Sequence, residues 1–133
     1  MGVKVKKQFY TWREFDEDVE KIAIWARDKK FQGVYGIPRN GLVLAVALSH
    51  RLELPVVLSP EDIMRRTLVV DDISDTGKTL LALERRLGFK PTVAAIFCHS
   101  DTLWKPDFSL REKKCWIVFP WETEVSSKYD NIV

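Results

Sequence analysis

The sequence predicts an α/β domain: a parallel sheet flanked by helices, with a small aromatic hood at its C-terminal end. Three observations lead there. Short apolar runs alternate with amphipathic stretches from about residue 11 to residue 98, at the spacing of strand–helix units. One run, Leu68-Val69-Val70, ends in the adjacent acids Asp71 and Asp72 and passes through Ile73-Ser74-Asp75-Thr76-Gly77 into a helical pattern. After His99 regular periodicity lapses, and Trp104, Phe108, Trp116, Phe119 and Trp121 crowd into eighteen residues.

The elements follow in order. Thr11 and Glu14 have the spacing of a capping box, and Phe15, Val19, Ile22, Ala23 and Ala26 follow on one helical face. Gly33 to Ile37 is a short buried strand. From Gly41 the pattern is helical, with Leu42, Ala45, Val46, Ser49 and Leu52 on a shared face. Pro55 to Leu58 and Thr67 to Val70 are the second and third strands. Gly77 to Leu87 is a helix closed by Gly88 as its C-cap, and Thr92 to Cys98 is the fourth strand. Residues 1–133 thus form a single domain, with a core over about 11–98 and a hood over about 99–125 together with N-terminal residues.

Composition narrows the functional classes. The chain has 133 residues, 46% hydrophobic and 30% charged, with a net charge of +2. Lysines and arginines are spread along the chain, which argues against nucleic acid as a partner. No run has signal-peptide or membrane-spanning length, so a cytoplasmic protein without a membrane partner is expected. Cys98 and Cys115 form no Cys-x-x-Cys pair and read as buried free thiols.

The acidic strand end carries the chemistry. Ligands in open α/β sheets sit at strand C-termini. A loop opening a helix offers unpaired N–H groups and a positive dipole end to phosphate. Asp71 and Asp72 repel a phosphate and must face other parts of the same ligand, such as hydroxyls or a divalent cation. A phosphorylated sugar fits. Thr76-Gly77-Lys78-Thr79 has the tail of a P-loop, but the required glycine five residues before Gly77 is Asp72. A second anion cradle is Gly36-Ile37-Pro38-Arg39-Asn40-Gly41, where Arg39 adds a fixed positive charge before another helix start.

Two acids, two variable residues and then Asp-Thr-Gly-x-Thr resemble the phosphoribosyl-pyrophosphate (PRPP) motif of type I phosphoribosyltransferases. Residues 36–42 resemble the pyrophosphate loop of that family. Cys115-Trp116-Ile117-Val118-Phe119-Pro120-Trp121-Glu122 is similar to the purine-binding end of its 6-oxopurine members. The resemblance spans about Thr11 to Glu122. It implies the type I phosphoribosyltransferase fold and transfer of phosphoribose from PRPP to hypoxanthine, guanine or xanthine, with release of pyrophosphate and formation of a nucleoside monophosphate. It also implies Mg²⁺ and a homodimer.

The resemblance assigns roles residue by residue. Asp71 and Asp72 hold the ribose and, with Glu122, the metal. Ser74, Asp75, Thr76, Gly77, Lys78 and Thr79 hold the 5′-phosphate. Pro38, Arg39, Asn40 and Gly41 hold pyrophosphate, with a cis peptide at Pro38–Arg39. Asp75, near the base N7, and Arg39 are catalytic. Ile73, His99, Trp116, Ile117 and Glu122 bind the purine. Trp121 is expected in the core.

Three departures stand out. Asn40 replaces a usual glycine and is expected to tolerate positive φ. His99 stands where relatives carry a lysine donor to the purine 6-oxo group, with Lys105 as the fallback. Only Ser59 to Arg66 separate the second and third strands, too few for the family's mobile lid. That shortening keeps open a non-catalytic PRPP- or nucleotide-binding regulator on the same fold.

Overall fold

The computed structural model describes residues 6–123 together with 125 and 126. Its elements run β1 (Lys7–Phe9), α1 (Trp12–Arg27), β2 (Gly33–Gly36), α2 (Gly41–Leu52), β3 (Val56–Val57), β4 (Thr67–Ser74), α3 (Lys78–Leu87), β5 (Thr92–Cys98), β6 (Phe108–Glu112) and β7 (Trp116–Val118). Five strands form one parallel sheet in the order β3-β2-β4-β5-β6. β1 and β7 form a separate parallel pair.

Side-chain alternation along the strands builds the two faces. Val34, Leu68, Val70, Ala94 and Ile96 pack with Ile22, Leu44 and Leu48 of α1 and α2. Their neighbours Tyr35, Val69 and Val93 pack with Leu80 and Leu83 of α3 on the other face. The capping box at Thr11 is formed in both directions, and Gly88 closes α3 at φ 77°. In α2 the buried face is Gly41, Leu44, Ala45 and Leu48. The stripe through Leu42, Val46 and Ser49 is displaced from it, and Val46 is half exposed. The first eight residues of this helix, Gly41 to Leu48, are all apolar, so their periodicity carries little directional information.

Two expectations about strand limits change. β4 does not end at Val70 but runs to Ser74, because Asp71, Ile73 and Ser74 stay in register with Ala95, Phe97 and Cys98 of β5. Phe108–Glu112, which the sequence pattern assigns to the hood, is the fifth strand of the main sheet. It reaches its parallel position through residues 99–107 without a crossover helix. The cysteines are free and partly exposed rather than buried.

Three distant segments meet at Asp18. Its buried carboxylate accepts from the Tyr10 hydroxyl at 2.5 Å and from Arg111 Nε at 2.7 Å. Arg111 also reaches Glu14, at 3.1 Å. Burial, and then the hydrogen bond to Asp18, push the Tyr10 phenol far up, so it remains a donor at any physiological pH. Removing one partner of such a cluster strands the others in low dielectric. We expect Asp18→Ala to lower the unfolding free energy by about 3–5 kcal/mol in urea titration. A loss under about 1 kcal/mol would show the cluster to be incidental.

Candidate active site

The sheet changes winding direction at the β2–β4 boundary. From β2 the chain passes through α2 outward to β3, whereas from β4 it passes through α3 to β5 on the other side. Such a reversal leaves a crevice at the strand C-termini. Both anion cradles open there. β2 pairs with β4 only as far as Gly36↔Val70, so the last four residues of β4 keep β5 on one side and have no strand partner on the other. Asp71 and Asp72 occupy that margin, both partly buried. Each uses one carboxylate oxygen to accept the next backbone N–H, Asp72 N at 2.9 Å and Ile73 N at 2.8 Å.

A cavity of about 600 Å³ lies against these acids and the loop Ile37-Pro38-Arg39-Asn40. The Pro38–Arg39 peptide is cis. A Cβ on Gly41 would come within 2.8 Å of Val70 O, so only glycine lets the start of α2 approach β4 this closely. Asn40 adopts φ −68°, an ordinary right-handed conformation, so tolerance of positive φ does not explain it. Instead its amide donates to Asp72 at 3.0 Å and to Glu122 at 3.2 Å, tying the two cradles to the hood. Glu122 accepts from Phe119 N through its other oxygen. Arg39 donates to Ser126 O at 2.6 Å.

The second cradle holds a cavity of about 80 Å³, lined by Asp75, Thr76, Gly77 and Thr79 among others. The first internal hydrogen bond of α3 is Leu81 N to Gly77 O, so the earlier N–H groups have no acceptor within the helix. Lys78 N–H is turned toward Thr76 Oγ1 at 3.2 Å. Gly77 has φ 85°, and a Cβ there would lie 2.5 Å from Trp104 N and 2.8 Å from Leu103 N. Its smallness therefore serves packing of the 102–104 loop as well as ligand approach. The Ser74 hydroxyl is buried and engaged by Thr102 Oγ1 and Trp104 O, both at 2.9 Å. It braces the loop and is not presented to a phosphate.

On the base side, Trp116 is half exposed on β7, and Ile117 is buried. Trp121 stacks on Phe119 at 4.9 Å and meets Phe15 edge-on, a core placement as expected. His99 Nδ1 accepts from Asp101 N at 3.0 Å, so the neutral ring carries its proton on Nε2. Lys105 is exposed. The sequence reading missed Lys113, whose ammonium meets Asp75 Oδ2 at 2.7 Å. The partners are 38 residues apart, and no local pattern reveals them.

Burial, then the neighbouring Asp72 charge, holds the Asp71 carboxyl well above the usual carboxylate range. A cation at this margin would relieve that cost. Among the described residues no three His, Cys, Asp or Glu side chains converge on a metal position. Mg²⁺ needs no such cage, since it commonly takes one or two carboxylates and completes its shell with substrate oxygens and water. The donor set fits it.

No protein-family model matches the chain. The solved structure of a purine phosphoribosyltransferase from Pyrococcus horikoshii has 31% sequence identity and a TM-score of 0.76, over 88% of this chain and 94% of that one. The chain belongs to the type I purine phosphoribosyltransferase family. Xanthine-guanine phosphoribosyltransferase from Chromohalobacter salexigens is 27% identical over 139 aligned positions, 87% of this chain and 84% of the relative. The Helicobacter pylori xanthine-guanine-hypoxanthine phosphoribosyltransferase superposes with a TM-score of 0.78 over 92% of this chain and 98% of that one; at 20% identity it speaks for the fold alone. The five-stranded parallel sheet is that of the type I phosphoribosyltransferases.

The raised Asp71 carboxyl gives this family member a testable pH signature. The native state holds the Asp71 proton more tightly than the unfolded chain does. Its contribution to stability is most favourable where both states are protonated and declines as pH rises through the folded-state value. Asp71→Asn keeps the acceptor oxygen and removes the charge. We expect thermal melts without ligand to show this variant more stable than the parent at pH 7. The gain should vanish below about pH 4, where the unfolded-state carboxyl is protonated as well. A destabilised variant at pH 7 would contradict the assignment.

Proposed function

We propose that this chain transfers phosphoribose from PRPP to the ring nitrogen of a 6-oxopurine, hypoxanthine, guanine or xanthine, releasing pyrophosphate. The observation that carries the reading is the meeting of two anion cradles and two carboxylates at one switch-point crevice. A diphosphate, a ribose and a 5′-phosphate need such a set together.

In this reading the N–H groups at Thr76 to Thr79 hold the 5′-phosphate and fix the sugar's register. Asp71 and Asp72 accept from the ribose hydroxyls. Arg39 and the N-terminus of α2 face the pyrophosphate and stabilise the negative charge that grows on it as the glycosidic bond breaks. Mg²⁺, when held at Asp71 and Asp72 with Glu122 nearby, supplies further neutralisation of that charge. Trp116 offers a stacking face to the base. Asp75 takes or shares the N7 proton as the new bond forms. The working protein is a cytoplasmic homodimer.

One observation favours the regulator alternative. The 58–67 connection is a pinned turn: Ile63 is buried, Met64 N donates to Thr67 Oγ1 at 3.0 Å, and Gln32 N to Arg66 O at 2.8 Å. It is built to stay in place. Water exclusion must then come from elsewhere than this connection.

The deciding experiment is a PRPP-dependent transfer assay with hypoxanthine, guanine, xanthine and adenine in parallel. At least one 6-oxopurine should be converted to its monophosphate, with kcat/KM about tenfold or more above that for adenine. Chelation of Mg²⁺ should abolish turnover. PRPP binding without turnover on any base would favour the regulator; adenine as the best substrate would overturn the 6-oxopurine assignment.

A further inference from the structure

Asn40 stands at the N-cap of α2, where an asparagine ordinarily turns its side chain back onto the helix; here it makes no capping bond. Its amide is spent across the crevice instead. The one nitrogen, Nδ2, donates to Asp72 Oδ2 at 3.0 Å and to Glu122 Oε2 at 3.2 Å. All three residues are partly buried. Each acid is also fixed from behind. Asp72 Oδ1 accepts from Ile73 N at 2.8 Å. Glu122 Oε1 accepts from Phe119 N at 2.7 Å, and Glu122 N closes the same turn onto Phe119 O at 3.0 Å. Phe119 is buried beside Tyr10 and Phe97. The second oxygens of two like-charged groups thus face one point, and the hydrogens at that point come from Asn40.

We infer that Asn40 is a positioning residue that holds the Asp72 and Glu122 carboxylates as one unit and so docks the hood onto the acidic end of β4 before a ligand arrives. The inference rests on the transferase reading only for the identity of that ligand. Two carboxylates turned toward one point repel, the more so where water is partly excluded, and their backbone anchors do not offset this. The amide bridges them with two N–H bonds and adds no charge, so the pair keeps its full capacity to accept from hydroxyls. A lysine or arginine at this position would bridge the acids too, but would cancel their charge. A glycine would leave them unbridged. With both amide hydrogens engaged, Asn40 offers none to a phosphate, and its part in binding runs through Asp72.

The test compares parent, N40A, E122Q and the double variant N40A/E122Q. Calorimetry without Mg²⁺ uses two probes: inorganic phosphate, which samples the anion cradles alone, and inosine monophosphate, which adds a ribose at Asp72. In N40A the nucleotide affinity should fall about tenfold, the lower end for hydrogen bonds to a charged group, with phosphate affinity unchanged. The double variant should recover most of that loss, because the amide introduced at position 122 removes the repulsion and supplies a donor toward Asp72. N40G repeats the measurement should N40A fold poorly, since glycine is well tolerated at an N-cap. Unchanged nucleotide affinity in N40A, an equal loss on both probes, or no recovery in the double variant overturns the inference. Urea unfolding of the same four proteins reads the bridge with no ligand present. N40A should lower the midpoint more when Glu122 is intact than in the E122Q background; equal lowering overturns the bridge. A parent that binds no nucleotide contradicts the transferase reading, and the unfolding comparison then decides the bridge by itself.

Discussion

The carboxylate of Asp18 joins three stretches of chain through buried hydrogen bonds and an ion pair. It lies on α1, Tyr10 follows the hood strand β1, and Arg111 belongs to the edge strand β6. A two-stranded ribbon such as β1–β7 is marginal alone. Here Tyr10 ties it to the main core, edge-on to Phe97 at 5.4 Å and to Phe119 at 5.5 Å. Arg111 fixes the end of β6, and Lys113 and Trp116 follow within five residues. The base side of the site is therefore held by a buried charge cluster some distance from the chemistry. The phosphate side is held by the sheet.

The crevice is built from a different constraint. β4 outlasts β2 by four residues, so backbone that would be covered in a longer sheet is open, and the two aspartates cap it with their own carboxylates. Placing Asp71 there is unfavourable for the ionised form, because of its burial and of the like charge beside it. A fold selected for stability alone would put a neutral residue at this position. The cost is tolerable where a cation and polyhydroxyl ligand are to be bound, since these supply the partners that the protein withholds. Asn40 has the complementary task, keeping Asp72 and Glu122 close without neutralising either.

Much of this was legible in the sequence because it is local. The capping box at Thr11 and Glu14, the C-cap at Gly88 and the two strand–loop–helix turns are short patterns whose physics lies within a few residues. β6 was not legible: Phe108-Ser109-Leu110-Arg111-Glu112 is a brief, half-polar run, and only its pairing with β5 makes it a strand of the sheet. Ser74 misled because a hydroxyl in a phosphate-loop sequence can face inward, toward Trp104 and Thr102. Lys113 was invisible for the reason that Asp18 was: an ion pair closed over dozens of residues leaves no periodicity to read. At Gly77 the sequence suggested room for a ligand, whereas the tightest neighbours of its missing side chain belong to the protein itself.

Many of these assignments converge on a single ligand pose. A crystal structure with inosine monophosphate and Mg²⁺ tests it most directly. The account requires the 5′-phosphate against the backbone of Thr76 to Thr79, the ribose hydroxyls at Asp71 and Asp72, and the base over Trp116. A nucleotide bound with its phosphate at the Arg39 loop and its base away from Trp116 would contradict it.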